Sequence, residues 1–146
     1  LVGSEMCIRD RSVAADNGVS LGIEDRVEWR QGNYTEALKA DEVFDGIVSN
    51  PPYIPSGDIS SLSEEVKHEP RIALDGGHDG LDFYRILGGK ASAHLRPGGF
   101  LAMEIGAGQK ESVIEILKKA DWYDCFEIIT DYGGIERAIY CRKKLE

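Results

Sequence analysis

Apolar positions along the chain come as short runs and helical stripes, cut apart by glycine, proline and charge. Val13, Asn17 and Leu21 share one stripe of a helix that Gly22 stops. Arg26 to Arg30 alternates as a strand, with Val27 and Trp29 on one side, and Gln31-Gly32-Asn33-Tyr34 ends it. Thr35 is placed to cap a helical turn over Glu36–Leu38. Phe44, Ile47 and Val48 predict a buried strand from Phe44 to Ser49, too short for a helix and closed by Asn50-Pro51-Pro52-Tyr53. Pro55 to Gly80 is a long loop of the kind that is functional or disordered, with one helical turn over Ser63–Val66. A helix over Leu81–Leu95, weakened by Gly88-Gly89, leads through the turn Arg96–Gly99 into a strand Phe100–Ile105. The helix Gln109–Ala120 turns Val113, Ile114 and Leu117 inward. Strands Cys125–Thr130 and Arg137–Cys141 flank the turn Asp131–Gly134, which is short enough to make them an antiparallel hairpin. The pattern as a whole predicts a three-layer α/β sheet, parallel except at one strand.

The chemistry concentrates at the end of Phe44–Ser49. Pro51 restricts Asn50 to extended geometry, and neither proline donates to a ladder, so the strand ends in a stiff elbow. An open α/β sheet places its ligand at the carboxyl ends of its strands. The Asn50 side-chain carbonyl and the Pro51 main-chain carbonyl are two acceptors that together hold both hydrogens of a planar –NH2 group. The Tyr53 ring offers a face on which that group stacks. No charge is created, which suits an amide or amino nitrogen attacking an electrophile.

Composition narrows the partners. The 146 residues allow one domain, and 42% hydrophobic with 29% charged residues is ordinary for a water-exposed fold. A net charge of -9 argues against a nucleic-acid substrate, whose phosphates require clustered Lys and Arg. Cys7, Cys125 and Cys141 have neither metal-ligand nor disulfide spacing, which favours a reducing cytosol. His68 and His78 read as solvated loop histidines, and no metal is expected. No apolar run approaches the ~18 residues of a membrane span.

Asn50-Pro51-Pro52-Tyr53 resembles the motif of S-adenosylmethionine-dependent methyltransferases that act on amino or amide nitrogens. Three further stretches, Tyr53-Ile54-Pro55, His68 to Leu74 and Gly77 to Arg85, resemble the HemK/PrmC family, which methylates a glutamine side-chain amide in peptide chain release factors. Asp131-Tyr132-Gly133 and Glu136-Arg137 resemble that family's terminal hairpin. The similarity runs from about Ser12 to Lys143. It implies the class I S-adenosylmethionine-dependent methyltransferase (Rossmann-like) fold, S-adenosylmethionine as cofactor, and a cytoplasmic monomer acting on release factors.

By the same resemblance Asn50, Pro51, Pro52 and Tyr53 bind the substrate glutamine, while Asn33, Tyr34 and Asn50 face the cofactor. The family usually carries an acidic residue and an aromatic where this chain has Asn33 and Tyr34, so the adenine contact is weakened. The Pro55–Gly80 loop becomes a substrate-facing lid. Glu104 and Gln109 match family positions without a chemical role, and Glu104-Ile105-Gly106-Ala107-Gly108-Gln109 imitates a nucleotide loop while lacking its third glycine. The family's glycine-rich loop and ribose-binding acid precede the helix that here ends at Leu21, and neither is recognisable.

Residues 1–11 have no clear period and read as a non-native leader, so residues 12–146 are expected to be the carboxyl-terminal part of a catalytic domain, inactive alone. On that reading the sheet is incomplete: Phe44–Ser49 has an unpaired edge, and Val27–Gln31 has lost its neighbours. A ribosomal-protein glutamine methyltransferase, a nucleic-acid amino-methyltransferase and a non-catalytic fragment are the alternative readings.

Overall fold

The computed structural model describes residues 2–5 and 8–145, in two compact units, residues 1–42 and 43–146, which are taken in turn. Cys7 lies outside the described residues. In the first unit, strand β1 (Val2–Glu5) pairs in parallel with β2 (Glu28–Gln31), with helix α1 (Ile8–Ser20) between them in the chain. β2 therefore has a neighbour, contrary to expectation, and it comes from the segment read as a non-native leader. Gly22, at φ 63°, ends the helix region as anticipated.

The face of α1 is a correction. Val13 and Leu21 are exposed at 50% and 72%, and Gly18 is the buried position among the described residues of the helix. A Cβ at Gly18 would stand 3.6 Å from the Trp29 ring. The helix therefore meets β2 through its smallest residue, which leaves room for the largest side chain of the strand.

The second unit is a four-stranded sheet in the order β3 (Phe44–Ser49), β4 (Leu95–Glu104), β6 (Glu136–Lys143) and β5 (Tyr123–Thr130). β3 runs parallel to β4, and β6 is antiparallel to both its neighbours, as the pattern predicted. β3 is the sheet edge among the described residues. Edge position explains why the expected burial fails there: Val48 is 77% exposed, and Phe44 and Ile47 are only half-buried. Gly46 is needed for the pairing, because a Cβ there would collide with the Phe100 ring, which itself stacks on Tyr140 with centroids 5.5 Å apart.

One face of β4 carries Leu101 and Met103, both buried, and alternates with half-buried Ala102 and Glu104. Tyr84, Leu87, Val113, Leu117 and Ile139 complete this core, each large apolar side chain contributing about 1.5–3 kcal/mol by leaving water. Helices α4 (Asp82–Lys90) and α5 (Lys110–Ala120) pack together where Gly88 meets Leu117. That close approach accounts for Gly88 in mid-helix, whereas a Cβ at Gly89 would meet nothing. The helix expected to reach Leu95 stops at Lys90 and tightens into a 3-10 turn over Ala91–His94. Leu95 already belongs to β4, ahead of the Phe100 start that the sequence suggested.

Candidate functional site

β3 delivers the chain to the elbow. Pro51 and Pro52 are buried and Asn50 is exposed, so the stiff part of the motif is anchored and its amide points to solvent. Neither the Asn50 side chain nor the Pro51 carbonyl has a partner among the described residues. Two unpaired acceptors therefore lie on consecutive residues.

The following loop folds back on the elbow instead of wandering. It contains a 3-10 turn (Ile59–Ser61) and the short helices α2 (Glu64–Lys67) and α3 (Arg71–Leu74). The Ile54 N–H donates to Leu74 O at 3.1 Å, and the Gly76 N–H donates to Ile54 O at 2.8 Å. The Ser56 N–H closes on Gly77 O at 2.8 Å, and the Ser56 hydroxyl donates to Asp75 Oδ1 at 2.5 Å. That hydroxyl, with the Gly77 N–H and Arg71 after it, holds the Asp75 carboxyl below its ordinary value. A Cβ at Gly76 would come within 2.9 Å of Pro52 O, so the returning segment lies directly against the elbow. His68 and His78 are exposed on this loop.

Behind the elbow lies a polar cluster that sequence reasoning did not interpret. The Tyr53 hydroxyl donates to Glu104 Oε1 at 3.2 Å, from the end of β4. Gln109, just before α5, donates through Nε2 to Tyr53 O at 2.9 Å and to Gly80 O at 3.4 Å. Its Oε1 accepts the Gly106 N–H at 3.0 Å. The buried Tyr84 hydroxyl lies 3.0 Å from Glu104 O and 3.4 Å from Gln109 Oε1. Burial, and then the Glu104 carboxylate, raise the Tyr53 phenol above its ordinary value, and burial raises Tyr84. The one hint in the sequence was the spacing Gly106-x-x-Gln109 directly after a strand. The Gly-x-Gly imitation of a nucleotide loop is thus engaged from within, since Gln109 already occupies the Gly106 N–H.

The hairpin tip closes the same end of the sheet. Asp131 accepts from the Gly133 and Ile135 N–H groups and from Arg137 Nε at 2.9 Å, and the Arg137 guanidinium holds its carboxyl low.

Asn33 and Tyr34 belong to the first unit, at the end of β2. Asn33 is exposed and its side chain makes no cap; it precedes a 3-10 turn over Tyr34–Ala37, so Thr35 sits inside that turn and does not start it. Tyr34 is half-buried with φ 53°, an uncommon backbone for a residue with a Cβ, and burial raises its phenol. Gly32 is pressed against the turn, where a Cβ would stand 2.6 Å from that of Ala37. Arg30 braces the turn by donating to Ala37 O at 3.1 Å while pairing with Glu28 and Glu42. Among the described residues no cluster of His, Cys, Asp or Glu is placed to hold a metal, and no helix is long and apolar enough to cross a membrane.

Comparison with known proteins gives a consistent set. The chain is 44% identical over 128 residues to the release factor glutamine methyltransferase of Gloeobacter violaceus, covering 87% of this chain and 44% of that protein. It is 48% identical over 115 residues to the enzyme of the same name from Geobacter sulfurreducens, covering 78% and 40%. With that of Bradyrhizobium diazoefficiens it shares 43% over 143 residues, covering 97% and 48%. The chain thus spans less than half the length of these curated relatives. No family model matches.

Among solved structures, a methyltransferase from Pyrococcus furiosus superposes with a TM-score of 0.68 at 20% identity, covering 98% of this chain and 62% of that one. An O-methyltransferase from Bacillus cereus, solved in complex with SAH, gives 0.59 at 14% identity, covering 98% and 62%. At such identities the likeness speaks for the fold, which is the class I methyltransferase sheet with its carboxyl-terminal antiparallel hairpin.

Proposed function

Because the chain belongs to the HemK/PrmC family of release factor glutamine methyltransferases, we propose that it forms part of the catalytic domain of an enzyme that methylates a glutamine side-chain amide in peptide chain release factors. The observation that carries this reading is the pair of acceptors, Asn50 Oδ1 and Pro51 O, that have no partner among the described residues, on a rigid elbow at a strand end.

S-adenosylmethionine, when bound, supplies an electrophilic methyl group on a sulfonium. The residues present suit one edge of that cofactor: Asn33 presents an exposed amide and Tyr34 a half-buried ring at the end of β2, which fit an adenine edge and face. Asn50 Oδ1 and Pro51 O accept the two hydrogens of the glutamine –NH2. Pro52 and Tyr53 shape the slot around the planar amide. Held by its two hydrogens, the nitrogen would present its lone pair to the methyl group that the cofactor would supply, and its displaced proton would leave to solvent. An amide nitrogen is a poor nucleophile, so holding it in line is the main lever, and such orientation is worth about 7–11 kcal/mol. The loop over residues 55–80 acts as the substrate-facing lid.

A net charge of -9 suits a protein partner better than a phosphate backbone, and a translation-factor substrate places the reaction in the cytoplasm, with the enzyme acting as a monomer. The deciding assay incubates the full-length protein with methyl-labelled S-adenosylmethionine and purified release factor, then maps the label by peptide mass spectrometry. One methyl on a glutamine side chain is expected. Label on a ribosomal protein or on RNA, with none on release factor, would replace the substrate.

A further inference from the structure

We propose that Gln109 and Glu104 are positioning residues of the elbow: Gln109 fixes its main chain and Glu104 fixes the plane of the Tyr53 ring. The proposal rests on the glutamine-methylating reading above and adds to it two residues that resemblance left without a role.

A side-chain amide has one acceptor oxygen and two N–H donors. At Gln109 every one of them has a partner, and the partners come from three separate segments. Nε2 faces the carbonyls of Tyr53 and Gly80, and Oε1 faces the Gly106 N–H and the Tyr84 hydroxyl. Rotating the amide by half a turn would set its oxygen against two carbonyls and its NH2 against an N–H, so the orientation is fixed by the surroundings. One side chain thereby pins the elbow to the loop that precedes α4 and to the strand end that precedes α5.

Glycines make the close approach possible. A Cβ at Gly80 would collide with Tyr53 O and stand 2.7 Å from Gln109 Nε2. At Gly106 it would lie 2.8 Å from Gln109 Oε1 and 3.1 Å from Tyr53 Cδ2. Gly80 has φ 75°, so its conformation as well as its space favours glycine.

Glu104 completes the frame. Its carboxylate accepts the Tyr53 hydroxyl, while its main-chain carbonyl accepts the Tyr84 hydroxyl. The Tyr53 ring is thus held at its backbone carbonyl and at its phenol. Asn50 and Pro51 lie immediately upstream, so their two acceptors inherit that placement. The groups facing the phenol are Glu104 and, at longer range, Arg137 and Glu69.

The test uses the full-length protein, with labelled methyl transfer to release factor as one readout and NMR titration of the Tyr53 phenol as the other. Gln109→Ala is expected to lower kcat about 100-fold, the scale of a misplaced reacting group, with KM for release factor changed less than about threefold. The isosteric Gln109→Glu, which replaces the NH2 and both its donors with one carboxylate oxygen facing two carbonyls, should behave the same way. Glu104→Gln keeps an acceptor for the phenol and should retain most activity, with the phenol titrating at lower pH than in the wild type. Glu104→Ala should lose both the activity and the ring's fixed position. Unchanged kcat in both Gln109 variants would overturn the strut, and an unchanged phenol titration in Glu104→Gln would overturn the ring anchor. A wild-type protein that methylates no glutamine defeats the proposed function instead. The titration, and the exchange protection of the Gly106 N–H in wild type against Gln109→Ala, then decide the bracing alone.

Discussion

The turn after β2 is braced by charge, whereas the main chain of the elbow after β3 is braced by a neutral amide, by glycines and by a returning loop segment. At the elbow the Glu104 carboxylate touches only the Tyr53 phenol. Arg30 reaches Ala37 O, Glu28 and Glu42 across the first turn. Gln109 reaches Tyr53 O, Gly80 O and the Gly106 N–H across the second. A guanidinium brace has several donors but answers to pH and salt through its carboxylate partners. An amide brace is indifferent to both and demands tighter geometry. On the proposed function the difference suits the two roles, with one turn offering an adenine edge and the other holding an amide nitrogen in line.

The largest expected effect separates the two strand ends by function. Asn50→Ala removes one of two acceptors from the proposed nucleophile site and should lower turnover by about 10²–10³-fold, the usual scale for losing one such polar group, while cofactor affinity stays near that of the wild type. Asn33→Ala should do the reverse, raising the dissociation constant for S-adenosylmethionine by only a few-fold, because a single exposed hydrogen bond is worth about 1 kcal/mol. Calorimetric titration with cofactor and steady-state methyl transfer separate the two. Equal losses from both variants would erase the distinction.

The next effect concerns space. Gly80→Ala places a Cβ against Tyr53 O at φ 75°, and Gly106→Ala places one against Gln109. Each is expected to destabilise the second unit by about 1–3 kcal/mol through strain at a forbidden backbone or a forced side-chain shift. Gly89→Ala, where nothing stands near the new Cβ, should be neutral or stabilising by up to ~1 kcal/mol in its helix. Urea unfolding of the three variants gives the order directly, and a Gly80→Ala protein as stable as Gly89→Ala would remove the close-packing argument.

What was legible in the sequence follows the reach of the forces involved. The β3 strand and its elbow were readable because Pro51 and Pro52 act locally on their own backbone. The terminal hairpin was readable because Asp131-Tyr132-Gly133-Gly134 is a short turn between two apolar runs. The exposed face of α1 was misread because Val13 and Leu21 look like a core stripe, while the decisive fact is the fit of Trp29 over Gly18. The exposure of Val48 depends on sheet order, since β3 is an edge among the described residues. The Gln109 brace joins residues 56 positions apart, so nothing in either neighbourhood reveals it. Glu104 and Gln109 were visible as residues of interest, but their partners are set by the fold.

The smallest effect tests the charged brace by pH. The Arg30 guanidinium, and after it the Lys39 N–H, hold the Glu42 carboxyl at about 2, against 4.5 for a free one. A carboxylate whose folded value is depressed adds stability that is complete above about 4.5 and is lost as pH falls toward about 2. Arg30→Met should flatten that dependence in the first unit. The second unit keeps an acid response of its own, because Arg85 holds Asp79 at about 2 as well. The units must therefore be read separately, and the sequence allows it: Trp29 reports the first and Trp122 the second. In a Trp122→Phe background, Trp29 fluorescence should show unfolding between pH 4.5 and 2 in the parent and a weaker pH dependence in Arg30→Met. In a Trp29→Phe background the same substitution should leave the acid response of Trp122 unchanged. If both tryptophans answer alike to Arg30→Met, the charge on Arg30 is not what distinguishes the two strand ends.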